Sequence, residues 1–87
     1  MGNKIMDIKK YRILLIEDDE IDRLAFKQLI QNQQLPYDCT TAEAVSQAGS
    51  ILAEEQFDIV IADYSLPDGT GLDVLDWVKD TPFILAT

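Results

Sequence analysis

Three short apolar runs each close on an acidic or hydroxyl residue. Ile13-Leu14-Leu15-Ile16 runs into Glu17-Asp18-Asp19, Ile59-Val60-Ile61-Ala62 into Asp63, and Phe83-Ile84-Leu85-Ala86 into Thr87. Runs this short and this apolar read as strands covered on both faces, as in a parallel sheet. In such a sheet the three ends lie on one edge, where open α/β folds place their ligand sites. Neighbouring strands are about 4.8 Å apart, so acids ending adjacent strands form one crowded anionic pocket. Such a pocket calls for a divalent cation.

Strand and helix patterns alternate along the chain, which predicts parallel β-α-β units. Tyr11 to Ile16 is the first strand. Asp19 or Glu20 opens a helix in which Ile21, Leu24, Ala25 and Leu29 recur at helical spacing as the expected inner face, and Leu35-Pro36 ends it. A weaker strand covers about Tyr37 to Thr41. A second helix, about Ala44 to Glu55, is expected to point Ala48, Ile51 and Leu52 inward, with Gly49 as a weak point. The third strand spans Phe57 to Ala62, and Pro67-Asp68-Gly69 makes a turn. Thr70 and Asp73 match a capping box for a third helix with Leu72, Leu75 and Val78 inside, closed by Asp80-Thr81-Pro82 before a fourth strand. No internal repeat or low-complexity segment interrupts the pattern.

The chain has 87 residues, enough for one domain with a modest core. Its net charge of -9 disfavours direct binding to nucleic acid phosphates and favours cations. Histidine is absent and Cys39 is the single cysteine, so the sequence offers no intramolecular disulfide and no cysteine–histidine pair for catalysis or zinc. Cys39 is expected to be a packing residue. No apolar stretch reaches the length of a membrane span, and Met1 to Lys10 lacks the apolar core of a signal peptide, so a cytoplasmic location is expected.

The first run with Glu17-Asp18-Asp19, the segment Asp58 to Leu72 with Asp63 before Tyr64-Ser65-Leu66-Pro67-Asp68-Gly69, and Pro82 to Thr87 together resemble a response-regulator receiver domain. The likeness runs from Tyr11 onward in the right order and spacing. It implies a CheY-like, flavodoxin-like α/β fold with a parallel sheet in the order 2-1-3-4 and flanking helices. Residues 1–10 would be an N-terminal extension and 11–87 a partial receiver. The resemblance also implies roles. Asp63 matches the aspartate that accepts a phosphoryl group from a histidine kinase or a phosphotransfer protein. Asp18 would hold Mg2+ directly, Glu17 mainly through bound water, and Ser65 through its backbone carbonyl. Thr87 matches the hydroxyl residue that hydrogen-bonds the attached phosphoryl group. The implied module promotes its own phosphorylation and dephosphorylation and is not a conventional enzyme.

The chemistry of the residues agrees with that mapping. A carboxylate attacking phosphorus approaches an anionic group, and nearby acids repel it unless a cation neutralises them. Magnesium is a hard ion commonly held by one or two carboxylates, waters and phosphate oxygens. Asp19 reads as a helix cap. Other readings remain open at this point: a receiver-like interaction module that is never phosphorylated, or a phosphohydrolase suggested by Asp68-Gly69-Thr70. The latter class resembles Asp-x-Asp-Gly-Thr, and Leu66 stands where its nucleophile would be. No Gly-rich phosphate loop follows the first strand.

A complete receiver continues with a helix, a strand and a helix, about 30 to 40 residues. The sequence stops at Thr87, without that segment and without the lysine that completes the family's phosphate site. Lys79, in the third helix, is not expected to replace it. The fourth strand is therefore expected to present an open edge and the sheet an uncovered apolar face, and self-association through them is expected.

Overall fold

A computed structural model describes residues 9–86. The elements run β1 (Tyr11–Ile16), α1 (Glu20–Asn32), β2 (Tyr37–Ala42), α2 (Val45–Glu54), β3 (Ile59–Asp63), β4 (Ser65–Leu66), β5 (Gly69–Thr70), a 3-10 helix (Gly71–Trp77) and β6 (Phe83–Ala86). The main sheet has the order β2-β1-β3-β6, all parallel, and β4 and β5 form a separate antiparallel ladder. The expected order 2-1-3-4 is thus present, the expected fourth strand being β6.

The alternation of side chains along each strand divides the sheet into two faces. On one face Leu14, Ile16, Val60 and Ala62 are fully buried and join Ala42, Val45, Ala48, Leu66, Val74 and Val78 in the core. The α2 helix and the 3-10 helix cover this face. Ile51, Leu52, Phe57 and Phe83 pack around its margin. Each large aliphatic side chain buried here contributes about 1.5–3 kcal/mol.

On the other face, α1 departs from expectation. Ile21, Leu24 and Leu29 are 75%, 51% and 52% exposed, and the helix has no buried residue. The half-buried positions are instead Arg23, Phe26 and Ile30. At about 100° per residue that stripe lies opposite Ile21, with Leu24 and Leu29 on the two flanks of the helix between them. The physical reason is visible at Arg23, whose guanidinium donates to the Glu17 carbonyl oxygen at 2.9 Å and turns this side of the helix to the sheet.

Two further expectations change. The third helix is a 3-10 helix, whose period of three residues buries Gly71 and Val74 and leaves Leu72 and Leu75 exposed; Val78, just past its end, is buried as expected. It ends at Trp77, before Asp80-Thr81-Pro82. The third strand begins at Ile59 rather than Phe57, because the preceding residues wrap Arg12. The Arg12 and Asp58 backbones and the Asp58 carboxylate are joined by hydrogen bonds of 2.7 and 2.8 Å, and the Arg12 guanidinium bonds the Gln56 carbonyl, pairs with Glu55 and lies 4.7 Å from the Phe57 ring centre.

Candidate functional site

The register of β1 against β3 pairs Ile16 with Ala62, so the next residues out, Glu17 and Asp63, leave the sheet side by side. One carboxylate oxygen from each of Glu17, Asp18 and Asp63 lies within 4.8 Å of the others. Glu17 and Asp63 are half-buried and Asp18 is exposed. The structure therefore brings together the three acids that the strand ends predicted.

Backbone contacts fix this edge. The Glu17 N–H donates to the Ala42 carbonyl at 2.9 Å and extends the β1–β2 ladder by one step. Asp19 caps α1, accepting from the Ile21 N–H at 2.9 Å, and its own N–H donates to Glu17 Oε2 at 3.1 Å. Asp19 is thus used as a cap, as expected. Loss of water around Glu17 pushes its carboxyl above the ordinary value; the Asp19 N–H opposes this, and the charges of Asp63, Asp22 and Asp18 add to the rise. A group so placed is relieved when a cation enters.

Asp63 ends β3 with one oxygen already engaged. Its Oδ1 accepts from the Tyr64 N–H at 2.9 Å, and the same N–H lies 2.9 Å from the Ala86 carbonyl oxygen of β6. The Tyr64 carbonyl accepts from the Gly71 N–H at 2.9 Å, which closes the β4–β5 loop over the strand end. Only glycine fits at position 71. A Cβ there would sit 2.5 Å from the Asp63 carbonyl oxygen and 2.7 Å from Leu85 Cδ1. Ser65 begins β4 two residues after Asp63 and is exposed. Thr87, the expected phosphoryl hydrogen-bond donor, lies outside the described residues.

Asp68 has a role that reading the local sequence missed. Its two carboxylate oxygens accept from the Val45 and Ser46 N–H groups at 2.7 and 2.9 Å and so cap α2, whose own cap residue, Ala44, has no side chain able to do so. These bonds hold the Asp68 carboxyl below its usual range. The cap crosses from the turn after β3 to a helix more than twenty residues earlier, and helix-cap signals are sought only next to the helix. Cys39 is half-buried with its thiol pushed up mainly by burial, as suits a packing residue. Among the described residues, no helix is long and apolar enough to cross a membrane.

A parallel sheet in this order with an acidic cluster at its C-terminal edge defines a CheY-like receiver fold. The chain belongs to the response regulator receiver domain family, whose model matches residues 13–87. It is 34% identical over 77 residues to the response regulator protein PilR of Pseudomonas aeruginosa and 28% identical over 68 residues to the polar-differentiation response regulator DivK of Brucella abortus. These alignments cover 84% and 78% of the chain but 17% of PilR and 54% of DivK. Among solved structures, the non-phosphorylated HemR receiver domain from Leptospira biflexa superposes with a TM-score of 0.74 at 35% identity, covering 87% of this chain and 63% of that one. The chain is thus a receiver-type signalling module of two-component systems.

Proposed function

We propose that this chain is the phosphoacceptor module of a two-component phosphorelay, with Asp63 receiving a phosphoryl group from the phosphohistidine of a sensor histidine kinase or phosphotransfer protein. The observation that carries this reading is the meeting of Glu17, Asp18 and Asp63 within 4.8 Å at the end of two adjacent strands. The donor set is all oxygen and over-charged, which fits a magnesium ion. Asp18 and Asp63 would hold it directly, Ser65 through its backbone carbonyl and Glu17 through bound water. When bound, the ion neutralises the acids and the charge on the transferring oxygens.

In the transfer, a carboxylate oxygen of Asp63 forms a bond to phosphorus as the bond from phosphorus to the donor's imidazole nitrogen breaks. The electron pair of that bond stays on the imidazole, and the product is an acyl phosphate on Asp63. The Tyr64 N–H, at 2.9 Å from Oδ1, holds the carboxylate in one orientation for the attack. Thr87 would then donate its hydroxyl to the attached group. The new charge of about -2 enters where the end of β3, the loop closed at Gly71 and the end of β6 meet, so a change in local structure there would alter the surface shown to a partner. This chemistry belongs to the cytoplasm, where such donors and magnesium are available.

Phosphoramidate labelling followed by 31P NMR tests the assignment. Asp63→Asn is expected to abolish the acyl phosphate signal; a signal retained in that variant would place the acceptor elsewhere. A folded wild-type chain with no signal would make the module an unphosphorylated interaction domain.

A further inference from the structure

The acidic pocket has two halves, and the ladder between their strands stops short of both. Glu17 and Asp18 follow β1, Asp63 and Ser65 stand at and just past the end of β3, and the paired register of the two strands ends at Ile16 with Ala62. Beyond that pair, each half is tied to a third segment, the corner between β2 and α2. On one side the Glu17 N–H donates to the Ala42 carbonyl at 2.9 Å. On the other, the two Asp68 carboxylate oxygens accept from the Val45 and Ser46 N–H groups at 2.7 and 2.9 Å. Arg23 adds a weaker tie, donating to the Glu17 carbonyl at 2.9 Å and facing the exposed Glu43 at 3.7 Å. The corner is itself closed by the Glu43 N–H, which donates to Gln47 Oε1 at 2.7 Å.

Asp68 sits at the tip of a short arm. Strands β4 and β5 pair Ser65 with Thr70 and Leu66 with Gly69, which leaves Pro67 and Asp68 as a two-residue turn. Pro67 fixes one backbone angle of that turn. Leu66 seats the arm on the core, and the Gly71 N–H closes its base on the Tyr64 carbonyl at 2.9 Å. A two-stranded hairpin this short has little stability of its own, so its orientation depends on what holds its tip. The holder is the Asp68 carboxylate, in charge-assisted bonds at a helix N-terminus. At the base of the same arm stands Ser65, two residues past Asp63.

We infer that Asp68 is a positioning residue for the cation and phosphoryl site: through the β4–β5 arm it fixes Ser65 and Asp63 at the spacing from Glu17 and Asp18 that a single ion spans. This rests on the reading of Asp63 as a magnesium-dependent phosphoacceptor. Magnesium demands near-octahedral geometry at about 2.0–2.1 Å, so a loose arm costs affinity even in a folded chain. Asp68 itself would touch neither the ion nor the phosphoryl group. If the same carboxylate served only to cap α2, a different result would follow. Ala44, the cap residue of α2, has the extended backbone of an N-cap, with φ -153° and ψ 163°, and lacks only a side-chain acceptor. Moving the carboxylate from position 68 to position 44 therefore restores the cap and leaves the arm untied.

The test compares the full wild-type chain with Asp68→Ala and with the double variant Asp68→Ala/Ala44→Asp, which keeps the net charge of -9. Urea melts, calorimetric magnesium titration and acetyl phosphate labelling are run on each. Asp68→Ala is expected to lower the urea midpoint and to weaken magnesium binding about ten-fold, the scale for losing a residue that orients metal ligands. The double variant is expected to regain the wild-type midpoint while its magnesium affinity and labelling rate stay low. Recovery of all three in the double variant would make Asp68 a helix cap alone and overturn the inference while leaving the phosphoacceptor reading intact. If Asp68→Ala does not fold, the double variant against wild type decides the matter by itself. If the double variant does not fold either, Asp68→Asn decides: with one acceptor oxygen for two N–H groups it is expected to weaken magnesium binding in the folded chain, and an unchanged affinity would overturn the inference. A folded wild-type chain that neither binds magnesium nor takes up a phosphoryl group would remove the phosphoacceptor reading and this inference with it.

Discussion

Single side chains at the acidic edge divide between binding and capping, and the division is measurable. Asp18 belongs to the cluster and Asp19 to the α1 cap. Asp18→Ala is expected to weaken magnesium binding at least ten-fold, about 1.4 kcal/mol, in calorimetric titration, while Asp19→Ala changes it less than three-fold; equal losses would undo the metal assignment. Asp68 gives a pH signature. Its folded-state value is depressed by the Ser46 and Val45 N–H groups, so the stability it adds is present above its unfolded value, near the ordinary carboxylate range. That stability is lost as pH falls through the lower folded value. Urea melts of Asp68→Asn and wild type are therefore expected to differ at pH 7 and converge at strongly acidic pH. The acidic trio was legible in the sequence because Glu17-Asp18 and Asp63 each close an apolar run. Asp68 was not, because its partners are distant in sequence and no local pattern points to them.

Within each element, burial followed geometry more closely than composition. The sheet and its order could be read from the apolar runs, since a strand buried on both faces has few other readings. The helices could not be read as fully. In α1, apolar spacing at Ile21, Leu24 and Leu29 showed that an apolar face exists but not which neighbour it meets, and Arg23, held to the Glu17 carbonyl, set the rotation. In the segment after β5, the helix type decided the face. Val74→Ala is expected to destabilise the fold by about 2 kcal/mol, and Leu72→Ala by under about 0.5 kcal/mol, the usual scale for surface positions. Chemical denaturation measures both. A larger loss at Leu72 would mean that this helix turns the opposite face to the core. Gly71→Ala forces a Cβ against the Asp63 carbonyl oxygen and is expected to lower both stability and phosphoryl labelling.

For the molecule as a whole, charge links folding to the cation. Burial and neighbouring acids raise the Glu17 carboxyl above its ordinary value. The metal-free fold is therefore expected to lose stability as pH rises through that raised value, and magnesium to restore it. At ten times its dissociation constant, an ion that binds only the folded chain adds about 1.4 kcal/mol, which a thermal melt at neutral pH detects as a rise in midpoint. No rise at saturating magnesium would show that the cluster does not hold the ion. The most direct measurement of the central claim is intact-mass spectrometry of the folded chain after incubation with acetyl phosphate, with and without magnesium. The account predicts the gain of one phosphoryl group that requires magnesium and disappears in Asp63→Asn. A gain that is independent of magnesium or persists in that variant would contradict it.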